Sequence, residues 1–217
     1  MEEYLSERQQ IDQVRAWIKD NAVWAIAGIA LGIGILVGMN QWRAWQSRQA
    51  SEAGAKYQQV LAALGRSDAT AAESLVKALQ SDYSRTPYAD LGALALARFE
   101  VEAGKLDAAE SRLKSVLSAT RDADLGSVVR LRLARVQSAR GEYADALTTL
   151  ASGGGAAYDD LKGDVLVAKG DKPAAIAAWR EALKDPTGRA VDRSLVELKI
   201  ASAGGAAPAA VPAGDKP

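Results

Sequence analysis

The chain has 217 residues, and its 27 basic side chains balance its 27 acidic ones. This balance leaves no basic surplus for nucleic-acid binding. Histidine and cysteine are both absent, which removes the commonest general base, the commonest metal ligand and the thiolate nucleophile. We therefore expect a protein that acts by binding, with no catalytic centre, no metal and no cofactor.

Residues 22–39 form an apolar stretch of eighteen residues without a charge, set between Asp20 and Arg43. As a helix this stretch is about 27 Å long, close to the roughly 30 Å hydrocarbon core of a bilayer. The sequence therefore predicts a transmembrane helix over residues 21–42, preceded by a short amphipathic segment, residues 1–20. Four tryptophans flank the stretch, as expected for the two membrane interfaces: Trp17, Trp24, Trp42 and Trp45.

A cleavable signal peptide and a buried core helix are the alternatives for this segment. Both fit less well, because residues 1–20 carry more acidic than basic side chains and the apolar stretch is longer than a signal peptide needs. The orientation stays open from charge alone, since three basic residues lie before the stretch and three lie soon after it.

Two glycine pairs within the apolar stretch have the spacing that lets membrane helices approach closely. They are Gly28 with Gly32, and Gly34 with Gly38. Another membrane helix is one explanation for them. The other is composition alone, because glycine is frequent in membrane helices generally.

Beyond residue 42 the apolar residues recur at three and four positions, which predicts an all-α domain over residues 43–201. Gly104, Gly141 and Gly170 each precede an alanine by five positions, and their spacings of 37 and 29 residues straddle the 34-residue tetratricopeptide period. We predict three helical hairpins that turn at these glycines, after a degenerate pair over 51–64 and 70–82 and before a final helix over 189–201. Residues 202–217, rich in Ala, Gly and Pro, are expected to form a disordered tail.

Two helix starts are predicted from capping signals. The spacing of Thr70 and Glu73 matches a capping box, and Thr86 followed by Pro87 matches a capping residue with proline in the first helical position. One catalytic pattern also occurs, the Ser-x-x-Lys spacing of Ser111 and Lys114. Its companion motifs are absent, which favours coincidence.

Several stretches of the chain resemble the YfgM-type inner-membrane proteins of Gram-negative bacteria. They are residues 10–12 with Trp17 and residues 19–21 before the apolar stretch, residues 42–46 after it, residues 130–136 and residues 161–164. The resemblance implies a single-pass inner-membrane protein with a cytoplasmic amino terminus and a periplasmic tetratricopeptide domain. It also implies membrane lipid, the SecYEG translocon, a PpiD-type periplasmic chaperone and unfolded secretory proteins as partners.

The predicted mechanism is tethering of a binding domain beside the translocon, where it links emerging proteins to chaperones. In the proposed register, four residues point into the concave surface used by such solenoids: Leu94, Arg98, Leu131 and Arg135. The alternative is that the two leucines pack between helices and the two arginines lie on a solvated face. Two other functions remain open, a scaffold for envelope assembly or cell division and an anchored periplasmic hydrolase using Ser111 and Lys114.

Overall fold

A computed structural model describes residues 7–185 and 187–205 of the chain. These residues form nine α-helices and no strand, which confirms the all-α prediction. The helices are α1 (Glu7–Gly65), α2 (Ala69–Asp82), α3 (Pro87–Glu102), α4 (Leu106–Ala119), α5 (Ala123–Ala139), α6 (Tyr143–Ala151), α7 (Ala156–Lys169), α8 (Lys172–Ala182) and α9 (Arg193–Ser202).

The chain divides into two compact units, one ending at Glu52 and the other beginning at Ala53. The first unit consists of the amino-terminal part of α1, where the apolar side chains lie exposed. No single helix in the described part of the chain is long and apolar enough to cross a membrane. Two segments of α1, Ile11–Trp24 and Ile26–Gly65, meet at a bend of 50°. Together they have the length and composition of a membrane-crossing segment.

The second unit contains three successive hairpins, α3–α4, α5–α6 and α7–α8, which turn at the predicted glycines. Gly104, Gly141 and Gly170 adopt φ values of 71°, 81° and 96°, which a side chain would disfavour. At each turn the next residue donates its N–H to the carbonyl four positions before the glycine, over 2.8–2.9 Å, as from Lys105 to Glu100. Each first helix therefore ends in a Schellman motif, which satisfies carbonyls that would otherwise lack partners.

The alanine five residues after each turn is completely buried in all three hairpins: Ala109, Ala146 and Ala175. The prediction that these alanines allow close helix packing is consistent with this burial. At two further positions, seven residues before the turn glycine and nine residues after it, a smaller residue on the first helix is matched by a larger one on the second. The first two hairpins bury Ala97 with Leu113 and Ala134 with Leu150, whereas the third has Gly163 and the much larger Trp179.

The glycine in this last pair makes room for the indole. A Cβ atom at Gly163 would lie only 2.3 Å from Nε1 of Trp179, well inside van der Waals contact. The indole Nε1–H donates hydrogen bonds to the Asp160 carbonyl and the Asp164 carboxylate, both over 3.1 Å. Trp179, on α8, is therefore held against α7 both by close packing and by hydrogen bonds.

Helix α9 covers the end of the last hairpin, as a solenoid requires. Val196 and Ile200 are buried in the same cluster as Trp179. The helix begins at Arg193 rather than at the predicted Arg189, because Asp192 caps it by accepting a hydrogen bond from the Leu195 N–H. Residues 202–205 of the predicted tail complete the end of α9, and residues 206–217 lie outside the described residues.

Of the two predicted helix starts, the one at Thr70 is wrong and the one at Thr86 is confirmed in position. Helix α2 is capped by Asp68, whose carboxylate accepts from the Ala71 N–H over 3.0 Å, so Thr70 already lies inside the helix. Helix α3 begins at Pro87 with Thr86 as its N-cap residue, as predicted, although the Thr86 hydroxyl donates to the Tyr83 carbonyl and makes no capping hydrogen bond.

Candidate partner-binding groove

A groove lies between α3 and α5, the first helices of two successive hairpins, with α4 beneath them. Its volume is about 320 Å³. The floor is apolar and buried, with Leu94 and Ala97 from α3, Leu113 from α4 and Val136 from α5. Val101, which is 40% exposed, lies at the edge of this floor.

Three arginines form the rim of the groove. Arg98 forms an ion pair with Glu102 on its own helix, with 2.7 Å between Nε and the carboxylate oxygen, and this hydrogen bond raises the pKa of Arg98. Arg132 and Arg135 are exposed, and neither has an ion-pair partner in the described part of the chain. The rim therefore presents three guanidinium groups against one carboxylate.

The structure brings together three of the four predicted groove residues, Leu94, Arg98 and Arg135. Leu131 lies elsewhere and packs, partly buried, against the cluster that contains Ala134 and Leu150. Leu94 and Leu131 occupy the same position in successive hairpins, ten residues before the turn glycine. Leu94 forms part of the groove floor, whereas Leu131 faces the cluster formed by α5, α6 and α7.

Sequence reasoning did not select the other six residues that line the groove, which are Ala97, Val101, Glu102, Leu113, Arg132 and Val136. The signal for Arg132 was present, because it precedes Arg135 by three positions and so lies on the same face of α5. Val101 and Glu102 follow Arg98 by three and four positions, which places them on one face of α3 by the same rule.

The four predicted interface tryptophans are exposed by 65%, 78%, 59% and 46%, in the order Trp17, Trp24, Trp42 and Trp45. The rings of Trp42 and Trp45 lie 5.4 Å apart between centroids. The four predicted packing glycines of α1, Gly28, Gly32, Gly34 and Gly38, face open space within the chain. The two pairs point about 120° apart around the helix, given 3.6 residues per turn, so they form two separate surfaces.

Large apolar side chains of α1 between residues 23 and 39 are exposed on every side of the helix. Ten of them have between 47% and 78% of their surface accessible, namely Val23, Trp24, Ile26, Ile29, Leu31, Ile33, Ile35, Leu36, Val37 and Met39. A contiguous apolar surface of this size marks an interaction site rather than ordinary protein surface.

Buried ion pairs join the helices behind the groove. Arg112 on α4 contacts Glu100 on α3 at 2.7 Å and Glu73 on α2 at 2.6 Å. Burial opposes the charged form of Arg112, but the hydrogen bonds to Glu100 keep its pKa above the ordinary value. The three side chains therefore fasten the first hairpin to the helix before it.

Ser111 and Lys114, the two residues of the catalytic pattern, lie on α4. Ser111 is exposed. Lys114 forms an ion pair with the buried Glu110, 2.7 Å from its carboxylate, and Glu110 also binds Arg140. Lys114 is therefore an exposed side chain engaged in an ion pair on its own helix.

A family model described as a tetratricopeptide repeat-like domain matches residues 15–205. The class of protein is therefore a tetratricopeptide-like helical repeat, in agreement with the three hairpins. An ancillary SecYEG translocon subunit of Escherichia coli is 32% identical over 206 residues, which cover 92% of this chain and 98% of that protein. One of Haemophilus influenzae is 30% identical over 200 residues, with 90% and 97% covered.

A further relative with the same name, from Neisseria gonorrhoeae, is 27% identical over 93% of this chain and 99% of its own length. The chain belongs to the family of ancillary SecYEG translocon subunits. These relatives confirm the resemblance inferred from the residues. No solved structure was found to match the chain.

Proposed function

We propose that the chain is a membrane-anchored protein that associates with the SecYEG translocon and holds its repeat domain, residues 43–201, in the periplasm. The domain links emerging proteins to a PpiD-type chaperone through protein binding. The observation that carries this proposal is the exposed apolar surface of α1 between residues 23 and 39, in a chain that also carries a folded repeat domain.

The exposed surface supports a membrane anchor through its energetics. Transfer of a large aliphatic or aromatic side chain out of water stabilises a protein by about 1.5–3 kcal/mol. Ten such side chains are exposed on this part of α1, and a lipid bilayer would remove all of them from water. The flanking tryptophans would lie at the two interfaces, where their amphipathic rings are favoured.

The relatives support the translocon as the site of action. They are named as subunits of SecYEG, and at 97–99% coverage of their own length they match both the amino-terminal segment and the repeats. An anchor confines the repeat domain near its partners and raises its effective concentration without any new contact. This role requires no chemical step, which suits a chain without histidine or cysteine.

The absence of cysteine allows a direct test of topology, because any introduced thiol is the only one in the chain. Gln13→Cys lies before the apolar segment, and Ser118→Cys lies at the exposed end of α4. We expect a membrane-impermeant maleimide to label Ser118→Cys in intact cells and Gln13→Cys only after lysis. The opposite labelling would reject the proposed orientation.

Association with the translocon is tested by purifying the full-length chain from membranes in mild detergent. We expect SecY and the chaperone to co-purify, and a photoreactive residue at Arg135 to crosslink to a partner. The matched control is Arg180, an exposed arginine on α8 outside the groove. Recovery of envelope-assembly proteins without SecY would favour the scaffold alternative instead.

A further inference from the structure

We infer that the groove between α3 and α5 recognises a short polypeptide segment in which one large aliphatic side chain lies next to acidic residues. This inference rests on the proposed function, since it assigns a ligand chemistry to the partner-binding domain. The occupant belongs to another protein, and it is recognised by an apolar contact at the floor and by charge at the rim.

The floor sets the size and polarity of the anchor. A volume of about 320 Å³ lies at the lower end of the range for ligand pockets, which suits one or two side chains rather than a whole helix face. Leu94, Leu113 and Val136 offer only carbon atoms from their side chains. An aliphatic side chain would exchange water for these surfaces on both sides of the contact.

The rim sets the charge of the flanking residues. Arg132 and Arg135 are three positions apart on the same face of α5, so both can approach one short segment. Their charges are not neutralised by any ion pair among the described residues. Arginine binds carboxylates in a bidentate manner, and a basic flank would instead be repelled.

Two other occupants offer related chemistry and are separated by experiment. The chain's own residues 206–217 contain one acidic residue, Asp215, and one larger aliphatic residue, Val211, which is a poorer match. A second copy would present α9, where Leu195 and Leu198 are 50% and 65% exposed on either side of Glu197.

The experiment uses the full-length chain in lipid nanodiscs and two fluorescein-labelled peptides. One peptide carries two leucines flanked by glutamate and aspartate, and the other carries the corresponding amides. We expect the acidic peptide to bind about fivefold more tightly, since exposed ion pairs contribute modestly and each tenfold corresponds to 1.4 kcal/mol. This preference should shrink as sodium chloride is raised.

Variants assign the preference to the rim and the floor. Arg132→Glu combined with Arg135→Glu should remove or invert the preference, whereas Arg180→Glu on α8 should leave it unchanged. Glu102→Gln releases Arg98 from its ion pair and should strengthen binding of the acidic peptide about twofold. Val101→Ser should weaken both peptides alike, because it changes the apolar edge of the floor.

Equal binding of the two peptides, or an unchanged preference in the double variant, overturns the inference. So does acidic-peptide binding that appears only after deletion of residues 206–217, which would make the chain's own tail the occupant. A change of oligomeric state in the double variant would assign the groove to a second copy. None of these measurements involves the translocon, so failed co-purification with SecY would reject the proposed function separately.

Discussion

The first and third hairpins, α3–α4 and α7–α8, share one backbone turn but fill the space between their helices differently. Four residues before the turn glycine and eight after it, the first hairpin places Glu100 and Arg112, which form a buried ion pair. The third hairpin places Leu166 and Ala178 at these positions, both buried in an apolar cluster. The second hairpin is intermediate, with a hydrogen bond between Gln137 and Thr149.

This comparison distinguishes the residues at the turn of a hairpin from the residues that pack between its two helices. The turn glycine and the buried alanine recur in all three hairpins. The filling pair changes from charged to polar to apolar without a change of turn. A buried ion pair gives little net stability compared with apolar packing, but it tolerates the loss of one partner badly.

The largest effect is expected from breaking the charged pair in the first hairpin. Glu100→Leu leaves Arg112, whose side chain is 15% exposed, with Glu73 alone. We expect the free energy of unfolding to fall by about 3 kcal/mol, because the remaining buried charge loses its main partner. Urea denaturation followed by circular dichroism measures this loss.

The double variant Glu100→Leu with Arg112→Ala is the control, because it installs the pair of the third hairpin. It should unfold within about 1 kcal/mol of the wild-type chain. If the double variant is as unstable as Glu100→Leu alone, the charged and apolar pairs are not interchangeable, and the comparison fails.

A smaller loss is expected when the third hairpin is given the alanine of the other two. Gly163→Ala places a Cβ atom against the Trp179 indole. Overpacking of this kind costs about 1–3 kcal/mol, while alanine improves helix propensity by about 1 kcal/mol over glycine. A contact this short falls at the upper end of that cost, so we expect a net loss of about 2 kcal/mol in the free energy of unfolding, measured by urea denaturation.

Two variants check that the loss comes from the indole. Gly126→Ala, on α5, meets its neighbours only at ordinary contact distances of 3.5 Å or more, so it should not destabilise the chain. Adding Trp179→Leu to Gly163→Ala restores the alanine–leucine pair of the first two hairpins and should recover part of the stability. No recovery would show that the two positions do not compensate.

Loss of a neutral hydrogen bond in the second hairpin should lower the free energy of unfolding by about 1 kcal/mol. In Thr149→Val the hydroxyl that donates to the buried Gln137 side chain over 2.8 Å is removed. Thr148→Val is the matched control, because its exposed hydroxyl bonds only to the Ala144 carbonyl of the same helix. Thermal unfolding should show a larger fall in melting temperature for Thr149→Val than for Thr148→Val. Equal falls would argue against a contribution of the Gln137 contact to stability.

The smallest effect concerns the charged contact between the third hairpin and α9. Burial disfavours the Lys199 ammonium, but hydrogen bonds to Asp160 and Asp164 raise its pKa above the ordinary 10.5. Because the folded-state pKa is raised, this stabilisation is fully present below pH 10.5 and is lost as the pH rises through the folded value. The stability difference between the wild type and Lys199→Met should therefore narrow above pH 10.5, and a constant difference would contradict this.

The turn glycines explain why much of the repeat fold was predictable from sequence. Gly104, Gly141 and Gly170 require a backbone that other residues disfavour, so their positions carry local information. The buried alanines follow at a fixed distance. Helix starts were less certain, because Asp68 and Thr70 lie two residues apart and both are good capping residues.

The ion pairs and most of the groove were not predictable in the same way. Glu73 and Arg112 are 39 positions apart, and no local pattern indicates that they meet. The groove itself depends on the space between two hairpins, and Leu131, which was predicted to line it, packs against the cluster that contains Ala134 and Leu150. Arg132 shares a face of α5 with Arg135, but its place beside Arg98 and Val101 of α3 depends on how the two helices pack.

The ion pair in the first hairpin also affects the groove. Arg112 and Leu113 are consecutive residues of α4, so the arginine holds Glu73 and Glu100 while the leucine forms the floor of the groove. The floor of the cavity is therefore held in place before any ligand arrives, and its buried side chains have little conformational freedom to lose on docking. Such preorganisation leaves more of the contact energy available as affinity.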